Sequence, residues 1–204
     1  MMKFFNKLLL FALLPAMTFS FASCDEDESS TEEGSFSKAA TSTLSSLSDN
    51  QCSIDGTVYD LNINAHVMDG SDSEQQTMHY NMQVIDSEGS RASAGSLMEI
   101  YGYGDMSYSL SGKTISLVKP SLSDNEYMAI GLYNQEKENG YIGLDAYGGE
   151  IFSRYGEKEL EGSSCFKDGA IKCVASTNAF SVEMYGVLED GSVIAIKGNC
   201  TPQN

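Results

Sequence analysis

The chain of 204 residues contains 29 acidic and 12 basic residues, and its formal net charge is −17. This charge excludes nucleic acid as a partner, because phosphate backbones are bound by clustered Lys and Arg, and it opposes direct contact with anionic lipid headgroups. Eleven Tyr, nineteen Gly, three Pro and no Trp are typical of a β-rich protein, and the length suits a single domain after an N-terminal leader.

Residues 1–23 have the pattern of a secretory signal peptide. Lys3 and Lys7 give the segment a basic start, and residues 8–21 are almost entirely apolar. This apolar run is too short to span a bilayer comfortably, so it indicates a cleaved leader rather than a permanent anchor. We therefore expect the protein to be exported.

The leader ends in two small residues, Ala22 and Ser23, followed by Cys24. This ending resembles the lipobox of bacterial lipoproteins, in which the cysteine is acylated and becomes the mature N-terminus. The resemblance implies that Cys24 carries the membrane anchor, since several acyl chains hold a protein on a bilayer whereas one chain binds only marginally. The alternative is an ordinary cleavage site, with Cys24 as one more thiol.

An acidic run follows the cysteine directly and occupies residues 25–33. Its start, Asp25-Glu26-Asp27-Glu28, resembles the surface-export signal of Bacteroidetes lipoproteins. That resemblance implies a position on the outer face of the outer membrane. The alternative is a solvated spacer that is kept extended by repulsion between like charges.

Residues 24–50 as a whole are rich in Ser, Thr and Glu, which predicts a flexible tether between the lipidated cysteine and the domain. Within this tether Phe36, Ala40, Leu44 and Leu47 recur at helical spacing. A short helix that docks on the domain is therefore an alternative for its second half.

Residues 51–204 form the predicted domain, in which apolar residues alternate with polar ones. Ile54-Asp55-Gly56-Thr57 is a tight-turn signal, and residues 59–67 and 78–84 alternate as two half-buried antiparallel strands. The fold class is therefore all-β, an antiparallel meander of about eight to ten strands that forms a barrel or a two-sheet sandwich. Further strands are predicted at residues 96–103, 106–110, 114–119, 127–133 and 141–147, and a weaker one at 151–155.

The last two strands are predicted in register, because Phe180 and Ile196 must share a buried face. A three-residue loop, Glu189-Asp190-Gly191 with Gly191 left-handed, keeps the apolar residues of both strands on that face. The strand that precedes Phe180 then turns at residues 177–178 and pairs with it.

Four cysteines remain besides Cys24, and an even number in an exported protein predicts two disulfides. In the predicted register Cys173 and Cys200 lie on opposite sides of the strand that starts at Phe180, too far apart to bond. The preferred pairs are Cys165 with Cys173, across a hairpin at residues 167–169, and Cys52 with Cys200, between the first and last strands. Zinc is the rival interpretation, but no C-x-x-C pair supports it.

The chain has only two histidines, His66 and His79, on the polar faces of neighbouring strands. If Val67 lies opposite Met78, the two histidines lie opposite each other and are near enough for one ion. Asp60 or the acidic loop between the strands could then complete a zinc or copper site. A register slip of two residues separates the histidines, and two solvent-facing histidines are the ordinary alternative. No cofactor is predicted.

Tyr101 and Tyr103 alternate on one strand, and Tyr108 follows them. Residues two apart on a strand lie on the same face, so these tyrosines are candidates for stacking on a sugar ring. The alternative is amphipathic packing, which is common for tyrosines at the edge of a β domain.

The sequence has no G-x-S-x-G, no H-E-x-x-H and no phosphate-binding glycine loop, so we predict that the protein is not an enzyme. The leader, the acidic tether, the Ile54-Asp55-Gly56 turn and the final turn at residues 188–192 resemble small Bacteroidetes outer-membrane lipoproteins of uncharacterised function. The resulting hypothesis is a lipid-anchored surface domain that binds a glycan or a host or envelope protein. The alternatives are a periplasm-facing inhibitor or assembly factor, and an enzyme without a recognisable motif.

Overall fold

Antiparallel strands make up most of the chain that the structure describes. The computed structural model describes residues 35–69, 76–84, 100–134, 140–176 and 178–202. The predictions for the leader, for Cys24 and for the acidic run therefore lie outside the described residues. The elements, in chain order, are α1 (Lys38–Ser46), β1 (Gln51–Ile54), β2 (Thr57–Asp69), β3 (Gln76–Val84), β4 (Ile100–Ser107), a 3₁₀ turn (Tyr108–Leu110), β5 (Thr114–Ser116), β6 (Tyr127–Asn134), β7 (Tyr141–Tyr147), β8 (Glu150–Tyr155), β9 (Lys158–Glu161), β10 (Phe166–Ala175), β11 (Phe180–Leu188) and β12 (Val193–Cys200).

The strands follow one another in the order β5-β10-β11-β12-β1-β2-β3-β4-β6-β7-β8-β9, and every neighbouring pair is antiparallel. This order is divided into two sheets that share the long strand β2. Its residues 57–60 pair with β1, and its residues 61–69 pair with β3. We call the part from β5 to β1 the first sheet and the part from β3 to β9 the second sheet.

The two sheets enclose one hydrophobic core. Side chains from both contribute to it, among them the fully buried Phe180 and Ile171 of the first sheet and Met128 and Leu144 of the second. The strands at the two ends of the order, β5 and β9, do not pair with each other in the described part of the chain. The all-β prediction is confirmed, and of its two alternatives the sandwich is the one observed.

The register predicted for the last strands is confirmed. Phe180 pairs with Ala175 of β10 on one side and with Cys200 of β12 on the other. The Leu188 amide donates to the Ser192 carbonyl over 2.9 Å. Residues 189–191 between them form the expected three-residue loop. Gly191 in that loop has φ +86°, a conformation that glycine adopts without steric cost.

The tight turn between β1 and β2 is also confirmed. Asp55 and Gly56 have φ values of 49° and 84°, and a two-residue type I′ hairpin turn requires positive φ at both of its central residues. Asp55 ties this turn to the last strand, because its carboxylate accepts from the Val193 amide at 2.8 Å and its own amide donates to the Val193 carbonyl at 2.9 Å. The first and last strands are therefore neighbours in the middle of the strand order.

The second half of the predicted tether contains the helix that its spacing allowed. Ser37 caps α1 by accepting a hydrogen bond from the Ala40 amide, which satisfies one of the free amides of the first turn. Ala40 and Leu44 are buried against the outer side of the first sheet. No helix in the described part of the chain is long and apolar enough to cross a membrane.

The cysteine pairing predicted from the sequence is wrong, because Cys52, Cys165, Cys173 and Cys200 are free thiols. The expected hairpin at residues 167–169 is not formed, since β10 runs without a turn to Ala175 and has only a bulge near Asp168. Eight residues along a strand separate the first pair by roughly 25 Å. Disulfides need Cα atoms within about 7 Å of each other.

The second predicted disulfide, between Cys52 and Cys200, is wrong because of the strand register, although the first and last strands were correctly predicted to be neighbours. The first and last strands do pair, but Cys52 lies opposite Ile196, whereas Cys200 lies opposite Phe180. Cys200 is thus four residues further along β12, about 13 Å away at strand spacing. The predicted strand at residues 106–110 is also wrong, since β4 continues to Ser107 and a 3₁₀ turn follows.

Candidate functional site

The outer side of the second sheet carries a group of exposed aromatic residues. Tyr133, Tyr141, Tyr147 and Phe152 are 40%, 39%, 57% and 48% exposed. They alternate along β6, β7 and β8 with buried residues such as Leu132, so all four belong to the outer face. We call this surface, formed by the outer residues of β6, β7 and β8, the aromatic face.

Strand register arranges the tyrosines of this face in two cross-strand pairs. Tyr133 lies opposite Tyr141, and Tyr127 lies opposite Tyr147 at the other end of the same two strands. The pairs are six residues apart, which is about 20 Å at strand spacing. Between them lie only short side chains, so the face has a low floor with an aromatic pair at each end: the residues of this floor are Ala129, Gly131, Gly143 and Asp145.

Tyr141 is held in position by its neighbours. A Cβ atom at Gly143 would lie 2.9 Å from Tyr141 Cε1, so the ring rests where only glycine leaves room. The Arg154 guanidinium carbon lies over the ring, 5.6 Å from its centroid, within the range of a cation–π interaction. Arg154 Nε donates to the Gly156 carbonyl at 2.9 Å, and the Gly156 amide donates to the Tyr141 carbonyl at 2.7 Å.

An ion pair lies next to the aromatic face, at the start of β6. Glu126, directly before β6, is only 7% exposed and accepts from Lys113 Nζ at 2.9 Å. This hydrogen bond and one from the Ser123 amide lower the pKa of Glu126 to about 2. The Glu126 carbonyl also accepts from the Gly148 amide in the turn after β7, so this residue ties the start of β6 to the end of β7 beside Tyr147.

Two of the three predicted ligand-binding tyrosines are placed next to this face. Tyr101 of β4 lies opposite Tyr133, and Tyr103 lies opposite Gly131. Tyr108 begins the 3₁₀ turn instead of continuing the strand, so it does not share their alternation. The sequence analysis missed Tyr133, Tyr141, Tyr147 and Phe152. The signal available for them was a tyrosine at each end of two glycine-containing strands.

Of the two registers considered for the histidines, the structure has the one that places them opposite each other. Val67 pairs with Met78, and His66 pairs with His79. On its other side His79 pairs with Asp105 of β4. Asp60, which was considered as a carboxylate partner, pairs with Gln51 of β1. No group of three metal-binding residues is found among the described side chains, a set that excludes both histidines.

The cysteines are placed for packing and not for nucleophilic chemistry. Burial raises the pKa of Cys52 to about 12, with a smaller contribution from the charge of Asp60, and burial raises the pKa of Cys165 to about 11. Burial also raises the pKa of Cys173 and Cys200. A reactive cysteine needs its thiolate at neutral pH, which these four environments disfavour.

No family model, curated protein or solved structure matches this chain. Function is therefore inferred from the residues themselves. The aromatic face is the strongest candidate, because it joins exposed rings, a low floor and a positioned arginine on one sheet.

Proposed function

We propose that this domain binds a glycan on the aromatic face and acts in binding or adhesion rather than catalysis. The observation that carries the proposal is that a cross-strand pair of tyrosines lies at each end of the low floor. Sugar rings present apolar C–H groups on their faces and hydroxyls at their edges. Aromatic rings attract the C–H groups through their negative faces and exclude water from them.

The dimensions of the face favour a chain of sugars over a single ring. The aromatic pairs at its ends are about 20 Å apart, and between them the Tyr141 ring lies over Gly143 and the remaining floor residues have short side chains. Asp145 is exposed in this floor, where a carboxylate accepts hydrogen bonds from hydroxyl groups. A chain of several rings could therefore stack at both ends and donate hydrogen bonds between them.

Preorganisation at Tyr141 supports the same function. Its ring is held between the Gly143 backbone and Arg154, so little side-chain entropy is lost when a ligand packs against it. Ordering a mobile side chain at a binding site costs about 0.5–1.5 kcal/mol. A ring that is fixed beforehand avoids most of that cost.

The surrounding charge favours a neutral glycan over an acidic one. Glu150, Glu159 and Glu161 are exposed on β8 and β9 beside the face, and Glu159 lies opposite Arg154. The chain as a whole carries a net charge of −17. Repulsion at long range would slow the approach of an anionic polysaccharide.

A glycan array probed with the purified protein tests this function, followed by calorimetry on the glycan that binds. We expect Tyr133→Ala and Tyr147→Ala each to weaken binding by about tenfold or more, the equivalent of 1.4 kcal/mol. Val174→Ala is the matched control, because Val174 is 42% exposed on the first sheet. Equal binding by all three variants, or an array without any bound glycan, would contradict the proposal.

We further propose that Cys24 is lipidated and that the domain is held on the outer face of the outer membrane. The basic and apolar leader, the small residues before Cys24 and the acidic run after it support this location. Cys24→Ala should release the protein from the membrane fraction. Protease treatment of intact cells should remove the domain while a periplasmic protein survives. Protection until the outer membrane is opened would instead favour the periplasm-facing alternative.

A further inference from the structure

We propose that the second sheet has a binding site for a divalent cation of the zinc type at the row His66, His79 and Asp105. The chain has two histidines, and the register makes them direct cross-strand partners. The two histidines therefore lie at the same level along the β2–β3 ladder. The row shares no residue with the aromatic face, although Asp105 pairs with Ala129 at the edge of that face.

The structure supplies the third member of the row, which the sequence analysis did not identify. Asp105 of β4 pairs with His79, so two histidines and one aspartate occupy a single cross-strand row on three consecutive strands. Asp60 is six residues from His66 on the same strand, about 20 Å away. The carboxylate of the row is therefore Asp105 and not Asp60.

The spacing of the row fits one cation. Side chains of directly opposed residues start from Cβ atoms about 4.5–5.5 Å apart, and His79 has one partner on each side. Zinc in proteins takes ligands at about 2.0–2.2 Å from imidazole nitrogen and carboxylate oxygen. Two histidines and one carboxylate form a recurrent zinc ligand set, in which water takes the fourth position.

The row lies on the side of the sheet that the core does not use. Ala65 and Met106 are 1% exposed, and they precede His66 and follow Asp105 in the chain. Neighbouring residues on a strand belong to opposite faces, so the row belongs to the face away from the core. The net charge of the chain attracts cations to the protein.

Calorimetry with Zn²⁺ on the purified full-length chain tests the site. We expect one ion per chain, no measurable binding by His79→Ala, and weakening of about tenfold or more in Asp105→Asn, since even residues that only orient zinc ligands contribute about 10–100-fold. Asp60→Asn is the matched control and should bind as the unsubstituted chain does. Binding that survives in His79→Ala, or that falls equally in both Asp variants, would overturn the proposal.

A second measurement does not depend on any variant. The chain has two histidines, so its NMR spectrum contains only two sets of imidazole signals. Both sets should shift together and stop shifting at one equivalent of Zn²⁺. Zinc that binds elsewhere, for example at the free thiols or the acidic run, would leave the imidazole signals unchanged and would refute the site. Glycan binding is measured without metal, so the two proposals can fail separately.

Discussion

The outer sides of the two sheets differ in what covers them. On the first sheet, α1 packs Ala40, Leu44 and Leu47 onto Tyr185 and Ala195, which are 7% and 0% exposed. On the second sheet, the aromatic face has no cover within the described part of the chain, and its four rings are about 40–57% exposed. Both sheets thus carry apolar residues outside the core, and among the described residues only those on the first sheet are covered by another element of the chain.

The residue types on the two surfaces match this difference. The first sheet presents Val187 and Val193 beside the buried Tyr185 and Ala195, aliphatic residues that pack closely against a helix. The second sheet presents aromatic rings with polar edges around a floor of Gly, Ala and Asp. Such rings tolerate water while they offer a large stacking area. The first surface is therefore suited to permanent packing, and the second is compatible with the reversible glycan binding that we propose.

The largest expected effect lies in the first sheet, at Gly169. Its φ of +136° is unfavourable for other residues, and a Cβ atom would lie 2.3 Å from the Tyr185 carbonyl oxygen. Gly169→Ala should lower the free energy of unfolding by about 3 kcal/mol or more, because rigid backbone must move. Urea unfolding followed by circular dichroism measures this loss. Gly149→Ala, where a Cβ meets nothing within 4 Å, is the control and should change little.

A direct comparison of the two outer surfaces comes from truncating one residue on each. Leu44→Ala should lower the free energy of unfolding by about 2–4 kcal/mol, since it leaves a cavity under α1. Tyr147→Ala, on the aromatic face, should change it by no more than about 0.5 kcal/mol. Urea unfolding of both variants measures the difference. Similar losses would show that the aromatic face is a packed surface and would remove the main reason to assign it a ligand.

The ion pair of Glu126 with Lys113 joins the two sheets, because Lys113 directly precedes β5 and Glu126 directly precedes β6. The folded-state pKa of Glu126 is lowered from 4.5 to about 2. Its contribution to stability is therefore complete above about pH 4.5 and is lost as the pH falls towards 2. Urea unfolding across this range should show a smaller loss of stability for Glu126→Gln. Glu150→Gln, at an exposed position, should retain the full pH dependence.

The smallest expected effect concerns the order within the aromatic face. Gly143→Ala places a methyl group 2.9 Å from Tyr141 Cε1, but the ring can turn towards solvent, so the cost should be about 1 kcal/mol or less. The ring should leave Arg154. The NMR signal of the Arg154 Nε–H group reports this, and the only other arginine is Arg91. An unchanged signal would mean that Gly143 does not position Tyr141.

Sequence alone was sufficient for the fold class and for part of the register. The Asp55-Gly56 turn and the need to bury Phe180 with Ile196 each predicted a pairing that the structure confirms, whereas the alternation in β2 and β3 left open two registers that differ by two residues. These predictions succeeded because a slip of one residue would turn every apolar side chain of a strand away from the core. Burial therefore encodes register locally.

Other features depended on information that is not local. Asp168-Gly169 has the composition of a hairpin turn, but Gly169 serves a close approach to Tyr185 in a continuous strand. That single misinterpretation produced the wrong pairing of Cys165 with Cys173. The even number of cysteines then reinforced it, although the thiols lie in separate parts of the core.

The candidate sites were predicted only in part for the same reason. The pairing of His66 with His79 was one of two registers that the alternation of β2 and β3 allowed. Asp105 joins them only through the neighbouring β4, and the strand predicted to end at Tyr103 stopped short of it. Tyr133 and Tyr141 each looked like an isolated strand residue. Only the register between β6 and β7 makes them a pair.

The position of β12 between β11 and β1 has a consequence for the order of folding. Gln51 pairs with Lys197, so the ladder that unites the two halves of the strand order closes a loop containing nearly the whole domain. Contacts of such high sequence separation form late and slow the folding reaction. During synthesis β1 has to wait for one of its neighbours until β12 has left the ribosome. Completion of the domain therefore depends on the synthesis of β12, and until then the unpaired edge of β1 is a point where partly synthesised chains are open to aggregation.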